Sequence, residues 1–408
     1  MAADDFTRAT GTTLDVVRRQ NLTQVLRLTH RDGPISRAEL TRATGLNRST
    51  IGGLVAELEA RGLVDETEPH LTRKVGRPSP MVMPSDATVA IAVNPEIDAV
   101  DVGVVSLGGR VLRRVRFKNE RIPTPTEFVN IVAAIVGGMR PELDDSSRTL
   151  GIGLAVPGLV RSKDGQVLLA PHLGWHEAPI TAMLAEATGM SVVAGNDASC
   201  GVVAESVFGG GRGVDSVVYL NGGASGIGGG VALGGTLLTG AGGYAGEFGH
   251  TLVESNGSAC HCGAIGCLET EVRRDALLAA VGLDDLAVEK LPAALAAAWS
   301  DPESVGAREV RRQVDYLAVA LRNILNGLNP RRIVLGGFLA TLLGVVGEAG
   351  LAARLDVALP GARHDVSIAA ATLGRDVLLV GAAELVFGPV LDDPTLMPVL
   401  AVPAPVTF

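Results

Sequence analysis

Apolar positions along the first part of the chain recur with a helical period. From Leu14 to Leu28 they fall at Val17, Leu22, Val25 and Leu26, and the run stops at the breaker Asp32-Gly33-Pro34. Ser36-Arg37-Ala38-Glu39 reads as a capping box that starts a second, short helix ending near Gly45. The turn Gly45-Leu46-Asn47 leads to a third helix, capped by Asn47 and running from Arg48 to about Arg61, with Ile51, Leu54, Val55 and Leu58 facing inward. Two helices joined by a short glycine turn make a helix-turn-helix. After Gly62, Leu63 to Glu66 reads as a strand and Leu71 to Pro78 as a basic hairpin, so residues 1–80 are expected to form a winged helix-turn-helix. Gly52 and Gly53 stand out inside the third helix. Each costs about 1 kcal/mol against alanine there, which predicts close approach of another backbone.

Beyond Ser85 the period changes. Short apolar runs at Thr88–Val93, Val100–Val105, Leu150–Val156, Val192–Ala194, Val217–Leu220 and Ile333–Leu335 alternate with helical stretches, the signature of an α/β fold. A chain of 408 residues has room for two or three such units, each with its own core. No run in this reading reaches the roughly 20 uncharged apolar residues of a membrane span, and Met1-Ala-Ala-Asp-Asp is acidic where a secretory leader is basic. A cytoplasmic protein without membrane insertion is expected.

The net charge of −9 excludes a protein that coats nucleic acid indiscriminately. Residues 13–80 nevertheless hold 11 Lys or Arg against 8 Asp or Glu, a local balance of +3. The exposed first turn of the third helix offers Asn47, Arg48, Ser49 and Thr50 to base edges in a major groove. Ser36 and Arg37 join them at the start of the second helix, and Arg73, Lys74 and Arg77 of the wing suit phosphate or the minor groove, although a solvated basic loop has the same composition. Double-stranded operator DNA is the expected partner. A helical domain of this kind that binds protein instead is the alternative.

His250, Cys260, Cys262 and Cys267 give the spacing H-x9-C-x-C-x4-C, too tight for a disulfide framework and suited to a structural Zn2+ held by one imidazole and three thiolates. His261 is the second-ranked nitrogen donor. Gly195-Asn196-Asp197-Ala198-Ser199 follows a strand and opens a helix, where α/β proteins present ligand-binding groups, and where an Asn-Asp pair also serves as a plain helix cap.

Ser36-Arg37-Ala38-Glu39-Leu40, Gly76-Arg77-Pro78, Gly246-Glu247-Phe248-Gly249-His250 and the run Cys260 to Glu269 together resemble the ROK family of repressors and sugar kinases, in particular its xylose- and N-acetylglucosamine-type repressors. The resemblance implies an N-terminal winged helix-turn-helix followed by a two-lobed actin-like, ribonuclease H-like sugar-kinase fold. The first lobe would take residues 81–195 plus 375–390 and the second 196–374 with the zinc loop; by its proline content 391–408 reads as a tail, ordered or frayed. It implies sugar contacts at Asn196, Asp197, Glu247, His250 and Glu269, with His250 serving both zinc and sugar. Asp197 matches the base of the family's kinases. His172 replaces a frequent asparagine of the pocket loops, which alters the expected ligand preference.

The family's kinases hold the nucleotide phosphates in an Asp-x-Gly-x-Thr turn. Here Asn94-Pro95-Glu96-Ile97-Asp98 takes those positions, so two carboxylates replace the glycine and the threonine. Unit charges at 4 Å repel by about 1 kcal/mol each even at the dielectric constant of water, so the expectation is no catalytic residues and no kinase activity. The glycine runs at 221–230 and 335–337 resemble the family's other nucleotide loops and equally suit tight packing. The function expected is a homodimeric or homotetrameric repressor of carbohydrate genes that senses a sugar or phosphosugar. The alternative is a bifunctional ATP-dependent sugar kinase with a DNA-binding domain.

Overall fold

The computed structural model describes residues 13–68, 79–223, 226–355, 359, 361 and 365–400. Helices α1 (Thr13–Asp32), α2 (Arg37–Thr44) and α3 (Arg48–Ala60) form the first unit. Both short helices begin as their residues require. Ser36 Oγ accepts from the Glu39 amide at 3.2 Å while Glu39 Oε2 accepts from the Ser36 amide at 2.9 Å, and Asn47 Oδ1 accepts from the Thr50 amide at 2.9 Å. Strands β1 (Ile35–Ser36), β2 (Val64–Thr67) and β3 (Met81–Pro84) close the unit as a sheet ordered β1-β3-β2. The expected basic hairpin, with Arg73, Lys74 and Arg77, lies outside the described residues.

Gly53 corrects one expectation. A Cβ added there meets nothing within 4 Å, and at Gly52 the nearest atom is Arg37 Nη1 at 3.4 Å, so among the described residues no other backbone closes on either glycine.

Two five-stranded sheets follow. The first contains β4 (Thr88–Pro95), β5 (Ala99–Ser106), β6 (Val111–Lys118), β7 (Arg148–Val156) and, past the small hairpin β8 (Leu159–Val160), β9 (Val167–Ala170) and β10 (Trp175–Ala178), β11 (Val192–Asn196). Its order is β11-β7-β4-β5-β6. The second holds β12 (Ser216–Gly222), β13 (Ile227–Leu233), β14 (Thr236–Leu237), β15 (Arg332–Gly337) and β16 (Ser367–Ala370) in the order β14-β13-β12-β15-β16. Numbered within each lobe, both sheets run 3-2-1-4-5: an antiparallel meander whose first strand is flanked by a parallel crossover. This is one ribonuclease H-like unit built twice.

Helices α4 (Pro125–Ser146) and α5 (Ile180–Thr188) cover one face of the first sheet. Short helices α7 (Leu268–Glu271) and α8 (Arg274–Ala280), with α9 (Leu291–Trp299), α10 (Val305–Leu328) and α11 (Phe338–Ala352), cover the second. The segment Phe338–Leu355 is long and apolar enough, by composition, to cross a membrane, closer to that limit than the sequence reading allowed. Its Leu339, Leu342 and Leu343 are buried in the core of the second lobe, which accounts for the composition.

Between the sheets lie α6 (Asp197–Phe208) and α12 (Val377–Asp392), which returns the chain to the first lobe. They cross closely because Gly381 has no Cβ: one built there would sit 2.1 Å from the Cys200 carbonyl oxygen. The helix-turn-helix unit is joined to this layer by a continuous core in which Leu22, Val25 and Leu26 pack with Leu107, Phe387 and Leu391. The boundary expected at 391 falls inside α12. The segment after it packs onto the first unit: Met397 is buried, and the Leu400 amide donates to the Ala60 carbonyl at 2.7 Å.

Candidate functional site

A cavity of about 550 Å3 opens between the lobes. Pro157, Gly158 and His172 line it from the first lobe, Asn196 and Asp197 from the start of α6, and Glu247, His250, His261 and Glu269 from the second. All five residues expected to contact sugar are therefore brought to one wall-and-floor arrangement. Asn196 ends β11 and caps α6: its Oδ1 accepts from the Ser199 amide at 3.0 Å and its Nδ2 donates to the Gly158 carbonyl at 3.0 Å. Both ends of that amide hold the floor together. Asp197 Oδ1 accepts from the Ala198 amide at 2.8 Å. Desolvation at the cavity floor, with the nearby Glu247 charge, pushes its carboxyl up to about 7. Desolvation also raises Glu247 and lowers His172, the latter with help from the neighbouring His261.

Tyr244 lines the cavity as well and was missed in the sequence, and Asn221, read there only as part of the glycine run 221–230, lines it too. The signal for Tyr244 was present: an aromatic residue inside a glycine-rich turn two positions before Gly246. The imidazoles of His172 and His261 meet edge-on, ring centres 5.6 Å apart, so the lobes touch across the cavity.

Behind the same wall His250, Cys260, Cys262 and Cys267 bring their ligand atoms within 4.8 Å of one another, a cluster able to hold a metal ion. Bonds of about 2.3 Å to sulfur and about 2.0 Å to nitrogen imply tetrahedral edges of about 3.8 Å (S to S) and about 3.5 Å (N to S). Cys262 Sγ and Cys267 Sγ stand 3.7 Å apart and Cys260 Sγ lies 3.6 Å from His250 Nδ1. The donor set fits a four-coordinate ion and is far too open for a disulfide. Glu269 joins cluster to cavity, its Oε1 lying 3.2 Å from Cys260 Sγ, 3.5 Å from His250 Nδ1 and 3.2 Å from His261 Nδ1.

The turn aligned with the phosphate cradle is occupied from within. Arg116 on β6 lies 2.8 Å from Glu96 Oε2, 3.0 Å from Asp98 Oδ2 and 2.7 Å from Asp101 Oδ2, and Arg114 adds a 2.8 Å contact to the buried Asp101. Asn94 donates to Glu96 Oε1 at 3.0 Å. The expected picture of two bare carboxylates facing a triphosphate needs correction: their charge is answered by Arg116. What the turn lacks is a hydroxyl donor and the room that glycine would leave.

The glycine run after Asn221 packs tightly. Cβ atoms at Gly229 and Gly230 would lie 2.5 Å from the Gly246 carbonyl and 2.6 Å from the Ala198 carbonyl, which seats β13 on α6 and the Glu247 turn.

On the first unit, Arg48 and Ser49 are exposed at the start of α3, with Thr50 half-buried beside them. The Ser36 and Asn47 side chains serve as caps, and Arg37 is tied to Glu66 of β2. Arg42, at the end of α2, is exposed and escaped the sequence reading.

Comparison with known proteins agrees with this arrangement. The ROK family matches residues 92–388 and the MarR family residues 23–73. The xylose repressor of Caldicellulosiruptor bescii is 25% identical over 88% of this chain and 93% of its own length, and the glucokinase of Thermotoga maritima is 32% identical over 70% and 93%. A solved ROK family transcriptional regulator, homologous to the E. coli MLC protein, is 25% identical and covers 93% of this chain and 98% of its own with a TM-score of 0.75. With a winged helix-turn-helix of MarR type in front of a doubled ribonuclease H-like unit, and the family match spanning both lobes, this chain belongs to the ROK family.

Proposed function

We propose that the chain is a transcriptional repressor of carbohydrate genes whose operator affinity is set by a sugar or phosphosugar in the interlobe cavity. The observation that carries this reading is an interlobe cavity lined by all five expected sugar contacts beside a turn, aligned with the phosphate cradle, that is filled by the Glu96–Arg116–Asp98 knot. Sugar binding is kept and the place for nucleotide phosphates is lost. The match to a xylose repressor covers 88% of the chain and that to the regulator of known structure 93%, whereas the glucokinase of Thermotoga maritima matches 70%.

Arg48, Ser49 and Thr50 enter the major groove, Arg42 and the wing residues Arg73, Lys74 and Arg77 meet backbone phosphates, and two copies of the chain read half-sites about one helical turn apart. His250, Cys260, Cys262 and Cys267 hold Zn2+, which cross-links the loop that carries Glu269 and His261. Asp197, Glu247 and Glu269 accept hydrogen bonds from sugar hydroxyls, and His250 adds its second ring nitrogen. The protein works in the cytoplasm, where thiols stay reduced.

The test is binding of the purified chain to DNA upstream of carbohydrate genes, with and without a panel headed by D-xylose and D-glucose and their phosphates. Sugar-dependent binding is expected. DNA binding that no sugar alters, or ADP release with any hexose at ordinary kinase rates, refutes the reading.

A further inference from the structure

The helix that carries Asp197 into the cavity ends against the DNA-binding unit. α6 spans 12 residues, about 18 Å at 1.5 Å per residue. At its far end Phe208 meets the ring of His30, in the last turn of α1, edge-on with centres 5.1 Å apart. His30 is buried. Its Nδ1 accepts from the Gly108 amide at 3.0 Å, which leaves Nε2 as the donor to Glu384 Oε2 of α12 at 3.1 Å. The turn between β5 and β6 is wedged into the same place. Gly108 and Gly109 have φ of 100° and 77°, and Cβ atoms there would lie 2.8 Å from Pro84 of β3 and 2.5 Å from the Phe208 ring. At the rim Arg212, just past α6, meets Asp32 at 2.9 Å.

Three features mark this place as more than packing. Glu384 Oε1 and the Thr29 hydroxyl are buried with no hydrogen-bond partner among the described residues, a cost that an ordinary apolar contact avoids. A third is that α6 touches both sheets, so movement of one lobe on the other must shift α6 against at least one of them. A helix neither stretches nor shortens cheaply, so a shift at Asp197 reappears at Phe208.

We infer that His30, Phe208 and Glu384 form the joint through which occupancy of the cavity is passed to the helix-turn-helix. They are positioning residues that touch neither sugar nor DNA, and the inference rests on the repressor reading above. Lobe closure on a sugar displaces Phe208 from the His30 ring, and α1 turns on the shared core with α3 attached. Thermodynamically the joint gives the two lobe arrangements different operator affinities.

The experiment uses the full chain, a duplex selected by it from a random DNA library, and D-xylose and D-glucose as probes. Operator affinity is measured by fluorescence anisotropy with and without sugar, and sugar affinity by calorimetry, for the unmodified chain and for Phe208→Leu, Glu384→Gln and His30→Gln. In the unmodified chain sugar is expected to change operator affinity by a factor in the usual coupling range, about 5–150-fold. In the variants sugar affinity and sugar-free operator affinity should stay within about threefold, while the sugar-induced factor falls toward one, since coupling and affinity are separate free energies. A merely structural role would lower thermal stability and leave that factor alone. Glu384→Gln keeps volume and shape and Phe208→Leu stays apolar while removing the ring, so folded material is secured if His30→Gln misfolds. Variants that respond to sugar as strongly as the unmodified chain overturn the joint and leave the repressor reading standing. An unmodified chain whose DNA binding no sugar changes overturns both.

Discussion

Replacing Cys262 with serine tests the metal cluster with little confounding. Cys260 and Cys267 are buried, so truncating either disturbs packing as well as ligation, whereas Cys262 is exposed and serine keeps its shape. A hydrogen bond from the Ala264 amide holds the Cys262 thiol below its ordinary range, which makes it the readiest of the three to ionise. Burial pushes Cys260 up to about 12 and raises Cys267. A cation must therefore displace protons from the buried thiols, and its affinity should climb by up to about tenfold per pH unit for each proton released. Loss of one thiolate leaves three donors and an open position. The expected outcome is a fall from one zinc per chain to well under half by atomic emission, with the midpoint of acid-induced metal release moved to higher pH. An ion present at about 1,000 times its dissociation constant stabilises the fold by about 4 kcal/mol, so a stability loss of that order should accompany metal loss. Since Glu269 Oε1 lies 3.2 Å from Cys260 Sγ, sugar affinity should fall too. Zinc content and sugar affinity equal to those of the unmodified chain would refute the assignment.

Other consequences are equally direct. Asp197, pushed up to about 7, is mostly protonated at pH 6 and mostly ionised at pH 8, so a sugar that donates to its carboxylate should bind up to about tenfold tighter at pH 8, and Asp197→Asn should flatten that profile in calorimetry. The same raised value means that this group's contribution to fold stability is greatest in acid and declines as pH rises through the interval up to about 7. Gly53→Ala meets open space inside α3 and should stabilise the chain by up to about 1 kcal/mol, read as a higher melting temperature; destabilisation would show that something fills that space. Arg116→Ala removes one partner from three carboxylates, of which the buried Asp101 keeps Arg114, and should cost about 1–3 kcal/mol without creating ADP release in the presence of hexose; measurable turnover would mean that Arg116 alone blocks the nucleotide.

The helix-turn-helix was legible because its signals are local. The Ser36–Glu39 capping box, the Asn47 cap and the period of Ile51, Leu54, Val55 and Leu58 lie within a few residues of one another, and each element forms where those patterns stand. The metal cluster was legible for the same reason, with three of its four ligands inside eight residues. Strand β6 was not, because its Val-Leu-Arg-Arg-Val-Arg-Phe-Lys pattern places arginines where a strand usually alternates with apolar residues, and their partners Glu96, Asp101 and Glu142 sit on other elements.

What only the tertiary structure decided involves residues far apart in the chain. The sequence showed Glu96 and Asp98 as uncompensated charge, and the antiparallel pairing of β5 with β6 brought Arg116 onto them. It assigned His30 no role, and the fold placed it against Phe208 and Glu384, 178 and 354 positions away. Residues 391–400 read as the start of a tail, and the structure lays them on α1 and α3. Caps and helical periods depend on neighbours within one turn, which a sequence displays. Charge compensation and burial depend on which surfaces meet, and here that was settled by packing the DNA-binding unit onto α6 and α12.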